Sequence, residues 1–252
     1  MANNKLLKDY DVTQQSLIPV FDAVHQKNYA NISPSDRAQT KQLFILGLTD
    51  IGHLFPNLNI KQTSTDPKDY IIKWLKRYYS AKVPSTSTPN PKGSADDPAI
   101  AKMVQKNKNY TDSQLEKAIE THNLFMSAEN IQGDLLEEYI NQHSKFYGWI
   151  WAKGESMRAC DFIRRDSNGI TELMQIKNRD NTENSSSISV RSGTTIKKWN
   201  RLTTRKKNKK PYASFNWDEL NKAMGIKTSH LMTEEDYMDF LIKVIKNNPS
   251  LL

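Results

Sequence analysis

Two short apolar segments separated by a turn signal constrain the fold more than any other feature of the sequence. Residues 156–165 and 170–177 are rich in β-forming side chains, and Asp166-Ser167-Asn168-Gly169 between them is typical of a β-hairpin turn. With the preceding segment 146–151, they predict three consecutive strands. We therefore expect a sheet that is built, at least in part, from neighbours along the chain.

The length of the hairpin loop decides which side chains share a face, because successive strand residues point to opposite sides of a sheet. A two-residue turn places Asp161 opposite Ile176. A three-residue loop that ends with Gly169 in the left-handed conformation instead places Asp161 opposite Gln175. Lys177 then lies two residues further along the same face. We predict this geometry, because only an odd loop or an equivalent bulge lets Asp161, Gln175 and Lys177 converge.

Apolar residues at helical spacing predict helices on both sides of this strand region. The helical segments are 13–26, 35–55, 66–83, a region from about Thr111, 127–143, 192–202, 216–225 and 233–248. The aromatic stripe of 66–83 is predicted to be core. Residues 84–98, which are rich in Pro, Ser and Thr, predict a long surface loop. We expect a helical N-terminal region over 1–110 that ends in this loop, and a second region over 111–252 that contains the predicted strands.

Charge and cysteine content limit the class of protein. The formal net charge of +8 suggests a polyanionic partner such as nucleic acid, with a merely basic soluble protein as the alternative. The single cysteine, Cys160, excludes a disulfide within the chain and fits a reducing cytoplasm. No apolar run approaches the ~18 residues of a membrane span, and the N-terminus lacks the apolar region of a signal peptide. We expect a cytoplasmic protein with no membrane partner.

The residues that converge at the hairpin suit metal-dependent phosphodiester hydrolysis. Mg²⁺ prefers oxygen ligands, and Asp161 offers a carboxylate while Gln175 offers an amide oxygen. Lys177 could hold the attacking water or act as its base, and could neutralise charge on the phosphate. Glu137, on the preceding helix, could supply a second carboxylate to the metal. Glu138 competes for that role, and we favour Glu137 because it lies further from the apolar face of the helix.

This arrangement resembles the PD-(D/E)xK nuclease superfamily, in which a helix with a glutamate precedes a strand with Asp and a strand with (D/E/Q)-x-Lys. Glu137, Asp161, Gln175 and Lys177 stand at these positions and are the predicted catalytic residues. Cys160 stands where a proline is frequent, and Gln175 replaces the usual acid, as in some restriction enzymes. The resemblance implies an α/β fold with a restriction-endonuclease-like core, a mixed β-sheet flanked by helices, beside the helical N-terminal region.

A more specific resemblance covers residues 128–201. The segments ENIQGDLLEEYI, YGWIWAKGESMRACDFI and QIKNRDNTENSSSISVRSGTTIKKWNR are similar to the SinI family of type II restriction endonucleases. The resemblance implies a Mg²⁺-dependent enzyme of a restriction–modification system that cuts double-stranded DNA at GGWCC/GGNCC-type sites. A homodimer is the simplest way to cut both strands of a symmetric site. No small-molecule cofactor is expected.

The polar segment after Lys177 is predicted to read DNA. Arginine can bind guanine in the major groove with two hydrogen bonds, and Asn can contact base edges. The candidates for base or near-base contacts are Arg179, Asn181, Asn184 and Arg191. The candidates for phosphate contacts, on the following predicted helix, are Lys197, Lys198 and Arg201. The run RKKNKK (205–210) is predicted to be a solvated basic loop that adds sequence-independent affinity.

Two other functions stay open at this point. The first is a DNA repair or junction-resolving nuclease of the same fold, which would read the shape of DNA rather than its sequence. The second is a non-catalytic DNA-binding protein in which the Asp/Gln/Lys set is accidental. Digestion of plasmid DNA in the presence of Mg²⁺ distinguishes these possibilities from restriction.

Overall fold

The computed structural model describes residues 4–87, 97–180 and 192–251. The chain forms two compact units. The first unit comprises Met1–Lys82 and Tyr139–Glu234, and the second comprises Val83–Glu138 and Glu235–Leu252. The division into regions 1–110 and 111–252 that is expected from the sequence remains a prediction.

A mixed β-sheet lies in the first unit. Within the described residues its strands follow chain order: β1 (Ile150–Trp151), β2 (Phe162–Arg165), β3 (Thr171–Arg179), β4 (Lys197–Lys207) and β5 (Lys210–Phe215). The β3 and β4 strands are parallel, and all other neighbouring strands are antiparallel. The predicted α/β fold, with a mixed sheet flanked by helices, is confirmed.

Most of the predicted helices are present. The described helices are α1 (Gln14–Asn28), α2 (Pro34–Leu48), α3 (Lys68–Ser80), α4 (Pro98–Lys108), α5 (Asp112–Ser144), α6 (Trp217–Met224) and α7 (Glu234–Asn247). Thr13 and Ser33 cap the N-termini of α1 and α2, because their side chains accept hydrogen bonds from the backbone N–H groups of Ser16 and Asp36. None of the helices in the described ranges is both long enough and apolar enough to span a membrane.

The N-terminal helices cover one face of the sheet. The aromatic face of α3 is buried as predicted, through Tyr70, Ile71, Trp74, Leu75 and Tyr78. These side chains belong to the same apolar cluster as Ile163 of β2 and Leu173 of β3. On the other face, the Trp199 ring of β4 contacts Trp217 of α6, with ring centroids 5.2 Å apart. The sheet is therefore buried on both sides along its central strands.

The second unit contains α4, most of α5 and α7. Its small core is formed by Leu135, Val244 and Leu251. The segments before and after residue 127, which the sequence presented as separate helical patterns, form one uninterrupted helix of 33 residues. Most residues of the apolar arc predicted for 127–143 are buried.

The prediction of a helix over 192–202 is wrong, and so is that of a loop over 205–210. Most of the first segment and the start of the second form β4, and a two-residue turn at 208–209 leads into β5. The alternation expected of a strand was concealed, because Arg201, a buried residue of β4, is charged. Burial at the start of β4 alternates with the period of two that is typical of a strand, but the charged residues hide this alternation in the sequence.

Candidate active site

The loop between β2 and β3 has the predicted three residues. The Asp166 N–H donates to the Ile170 carbonyl at 2.8 Å, which closes the hairpin around the three residues between them. Gly169 has φ +80°, the left-handed conformation that glycine adopts without strain. The Asp166 carboxylate also accepts the N–H groups of Asn168 and Ile170, at 2.9 and 2.7 Å. Local side-chain hydrogen bonds therefore fix the length of this loop.

The paired residues run from Phe162 opposite Met174 to Arg165 opposite Thr171, so the predicted odd loop is confirmed, and Asp161 lies one residue before the first of these pairs. The Asp161 N–H donates to the Met174 carbonyl at 2.9 Å, and the Ile176 N–H donates to the Asp161 Oδ2 at 2.6 Å. Gln175 is buried, and Lys177 lies half-buried two residues further along the same face. The hairpin thus brings together a carboxylate, an amide and an ammonium group, with the carboxylate oriented by the backbone.

The electrostatics of Asp161 reflect its position at the edge of the core. Burial raises the pKa of Asp161 to about 6, while the Ile176 N–H and the Lys177 ammonium group lower it. The carboxylate of Glu155 raises the pKa of Asp161 further. Asp161 therefore carries a poorly solvated negative charge with a second carboxylate nearby, an arrangement that a cation would stabilise.

The N-terminal helical region holds the loop that precedes Asp161. The indole N–H of Trp74 donates to the Ser156 carbonyl at 2.8 Å. Arg77 donates to the Gly154 carbonyl at 2.8 Å and pairs with the Glu155 carboxylate. Because both residues lie on α3, this helix anchors the connection between β1 and β2.

Strand β4 adds two polar residues to the same face. In the parallel pairing, Lys198 lies opposite Gln175 and Asn200 lies opposite Lys177. The Asn200 side-chain oxygen is buried and has no hydrogen-bond partner among the described residues. A buried acceptor of this kind is usually satisfied by water or a ligand. Asn200 is a candidate site residue that sequence reasoning missed, because the signal for it is the pairing of β3 with β4.

The residues predicted to contact phosphates do not share one environment. Lys198 lies on the face of Gln175, whereas Lys197 lies on the opposite face and contacts Glu172 at 3.3 Å. Arg201 is 5% exposed, donates to the Asn178 side-chain oxygen at 2.8 Å and pairs with Glu234. These contacts favour a structural role for Arg201 over the predicted phosphate contact.

The residues predicted to contact bases are only partly described. Arg179 is exposed at the end of β3, two residues beyond Lys177 on the same face. Asn181, Asn184 and Arg191 lie outside the described residues. The contacts of all four with DNA therefore remain predictions.

The two glutamates considered for the helix position differ in environment, and both belong to the second unit. Glu138 is 7% exposed, and its two oxygens accept the backbone N–H and the hydroxyl of Ser85, at 2.8 and 2.6 Å. Glu137 is half-buried. Since Ser85 engages both oxygens of Glu138, these contacts argue against Glu138 for the predicted role.

The oxygen donors on the hairpin fit a hard divalent cation. The Asp161 carboxylate accepts the N–H of Ile176, the residue that follows Gln175 and its amide group. Within the described residues, no three His, Cys, Asp or Glu side chains form a group that could hold a metal. Mg²⁺ commonly binds through one or two protein oxygens and keeps several water or phosphate oxygens as ligands.

Comparison with known proteins agrees with this chemistry. Residues 28–247 match the family model described as SinI restriction endonuclease. The chain is 35% identical over 195 residues to the type II restriction enzyme Eco47I of Escherichia coli, covering 75% of this chain and 80% of that enzyme. It is 31% identical over 214 residues to the type II restriction enzyme SinI of Salmonella infantis, covering 84% of this chain and 88% of that enzyme. The chain therefore belongs to the SinI restriction endonuclease family and is a type II restriction enzyme.

Proposed function

We propose that this protein hydrolyses phosphodiester bonds of double-stranded DNA at a specific sequence of the GGWCC/GGNCC type, with Mg²⁺ as cofactor. The observation that supports the proposal is the position of the Asp161 carboxylate, which accepts the N–H of Ile176, the residue between Gln175 and Lys177, at 2.6 Å. The names of the relatives, which are type II restriction enzymes, support the reaction class. The proposed DNA recognition sequence rests on the family resemblance alone.

Each residue of the hairpin has a distinct task in this proposal. The carboxylate of Asp161 and the amide oxygen of Gln175 hold the cation, and the Ile176 N–H keeps the carboxylate oriented. Bound Mg²⁺ supplies Lewis-acid polarisation of the phosphate and a more acidic water. Lys177 positions or deprotonates the attacking water and neutralises charge that develops on the phosphate. Asn200, opposite Lys177, can accept a hydrogen bond from that water through its buried oxygen.

The identity of the second carboxylate is a separate part of the proposal. Glu137 is proposed from the sequence pattern, whereas Glu155 acts on Asp161 electrostatically in the structure. Isothermal titration of Mg²⁺ into Glu137→Gln and Glu155→Gln distinguishes the two residues. We expect Glu137→Gln to weaken Mg²⁺ binding and cleavage more than Glu155→Gln. The opposite order would transfer the role to Glu155.

The proposed assembly follows from the symmetry of the substrate. A homodimer places one active site at each strand of a symmetric DNA sequence. The segment that follows Lys177, with Arg179, Asn181, Asn184 and Arg191, is proposed to contact bases, while Lys197 and Lys198 contribute positive charge near the phosphates. The proposed compartment is the cytoplasm, where a restriction enzyme meets incoming DNA.

Digestion of plasmid DNA with Mg²⁺ tests the function. The wild-type protein should yield discrete fragments, while Asp161→Ala and Lys177→Ala should abolish cleavage and still retard a duplex in a gel. Lys61→Ala, which removes an exposed lysine far from the hairpin in sequence, is the control and should cut normally. Cleavage confined to branched DNA would support a junction-resolving nuclease, and retarded but intact DNA would support a non-catalytic binder.

A further inference from the structure

The β4–β5 hairpin continues beyond the rest of the sheet. The last pair between β3 and β4 joins Arg179 to Leu202, while the pairs between β4 and β5 continue from Leu202 to Lys207. From residue 203 onwards, β4 pairs with β5 alone among the described strands. We call residues 203–214 the basic arm. It is a two-stranded ribbon that begins three residues after Asn200, at the candidate active site.

The tip of the basic arm concentrates positive charge. Its five cationic residues are all exposed, and none has an ion-pair partner among the described residues: Arg205, Lys206, Lys207, Lys209 and Lys210. Asn208 and Lys209 form the turn with φ of +52° and +63°, the left-handed pair of a tight hairpin. The turn is therefore defined in shape although neither residue is glycine.

The positions of these charges destabilise the ribbon when no ligand is bound to it. Lys207 lies directly opposite Lys210, and like charges in this position destabilise a strand pair. Lysines on open strand edges do prevent unwanted strand pairing, but that role does not require two lysines that face each other. A polyanion bound along the arm would remove the repulsion. Lys206 and Lys207 lie on opposite faces of the ribbon, so its cations point to both sides. A ribbon in a DNA groove can use this arrangement, because phosphates line both walls of the groove.

We propose that the basic arm binds the phosphates of duplex DNA that flanks the recognition sequence. Lys207 lies seven residues beyond Asn200 in β4, which at ~3.3 Å per residue places it ~23 Å along the strand. A duplex rises by about 3.4 Å per base pair, so this reach equals about seven base pairs. The proposal rests on duplex DNA as the substrate, and it adds a contact outside the bases that the enzyme recognises.

The test compares two lengths of duplex in metal-free buffer containing EDTA, where no cleavage occurs. One duplex carries the recognition sequence with about three flanking base pairs on each side, and the other carries about twelve. The variant Lys206→Gln/Lys207→Gln/Lys209→Gln removes three charges from the arm and keeps Asn208 in the turn. The control variant Lys8→Gln/Lys61→Gln/Lys68→Gln removes three exposed lysines that lie far from the arm in sequence.

On the long duplex, we expect the arm variant to bind at least about tenfold more weakly than wild type. The slope of log affinity against log salt should become shallower by about 2 to 3, since each phosphate contact contributes about 0.9. On the short duplex, the arm variant and wild type should bind alike. The control variant should bind the long duplex within about twofold of wild type. The melting temperature of the arm variant should equal or exceed that of wild type, because the altered side chains are exposed and Lys207→Gln removes the repulsion from Lys210.

Three results would overturn the proposal. They are equal weakening of the arm variant on both duplexes, equal weakening by the control variant, and no weakening at all. The digestion with Mg²⁺ is scored separately. A wild-type protein that cuts DNA while the arm variant binds like wild type refutes the arm alone. A wild-type protein that neither cuts nor retards the long duplex refutes the proposed function as well.

Discussion

Replacing Arg201 by alanine tests whether its buried guanidinium group stabilises the fold or contacts a phosphate. The sequence predicts a phosphate contact, whereas the structure buries the guanidinium against Glu234 and Asn178. Removing one partner of a buried ion pair costs about 3–5 kcal/mol of unfolding free energy. Glu234 would keep the hydrogen bond from the Trp217 indole N–H and is 23% exposed, so Arg201→Ala should lie near the lower limit, at about 3 kcal/mol.

Urea denaturation measures this loss, and the m-value should stay unchanged if the unfolded state is unaffected. The double variant Arg201→Met/Glu234→Gln should recover part of the stability, because it leaves no unpaired buried charge. Lys198→Ala, which alters the neighbouring site face, should keep its stability and weaken DNA binding. The structural role of Arg201 is refuted if Arg201→Ala unfolds like wild type while the salt slope of DNA affinity falls by about 0.9.

Three further predictions concern the supports of the site. Trp74→Phe leaves the Ser156 carbonyl without its 2.8 Å donor and should lower the unfolding free energy by about 1–3 kcal/mol in urea denaturation. Cys160 is 1% exposed and burial raises the pKa of its thiol, so a thiol reagent should label it only after unfolding; rapid labelling of the native protein would contradict its burial. Gly169→Ala should cost about 1–2 kcal/mol because φ is +80° there, although a new Cβ would meet no atom within 4 Å. Gly133→Ala, inside α5 with equally open space, is its control and should stabilise the protein by roughly 0.5–1 kcal/mol in the same thermal or urea melts.

The local part of the site could be read from the sequence because short-range rules govern it. Asp166 and Gly169 favour one loop length, and the alternation of strand residues then places Asp161, Gln175 and Lys177 on one face. The burial of the aromatic face of α3 was equally predictable, since the helical period puts its apolar residues on one side. Both inferences relate residues that are close in the chain.

The parallel pairing of β3 with β4 could not be read in this way. Its partners, such as Lys177 and Asn200, are separated by 23 positions, and no turn relates them. The charges in 197–207 also concealed a strand, because Arg201 is buried against Asn178 and Glu234, residues 23 and 33 positions away. The sequence alone therefore determined the hairpin and its loop length through local conformational preference, and with them the position of three candidate catalytic side chains. Only the tertiary structure decided which cations are buried, which residue lies beside Lys177, and that the basic run forms an arm, because burial and strand pairing depend on contacts between distant residues.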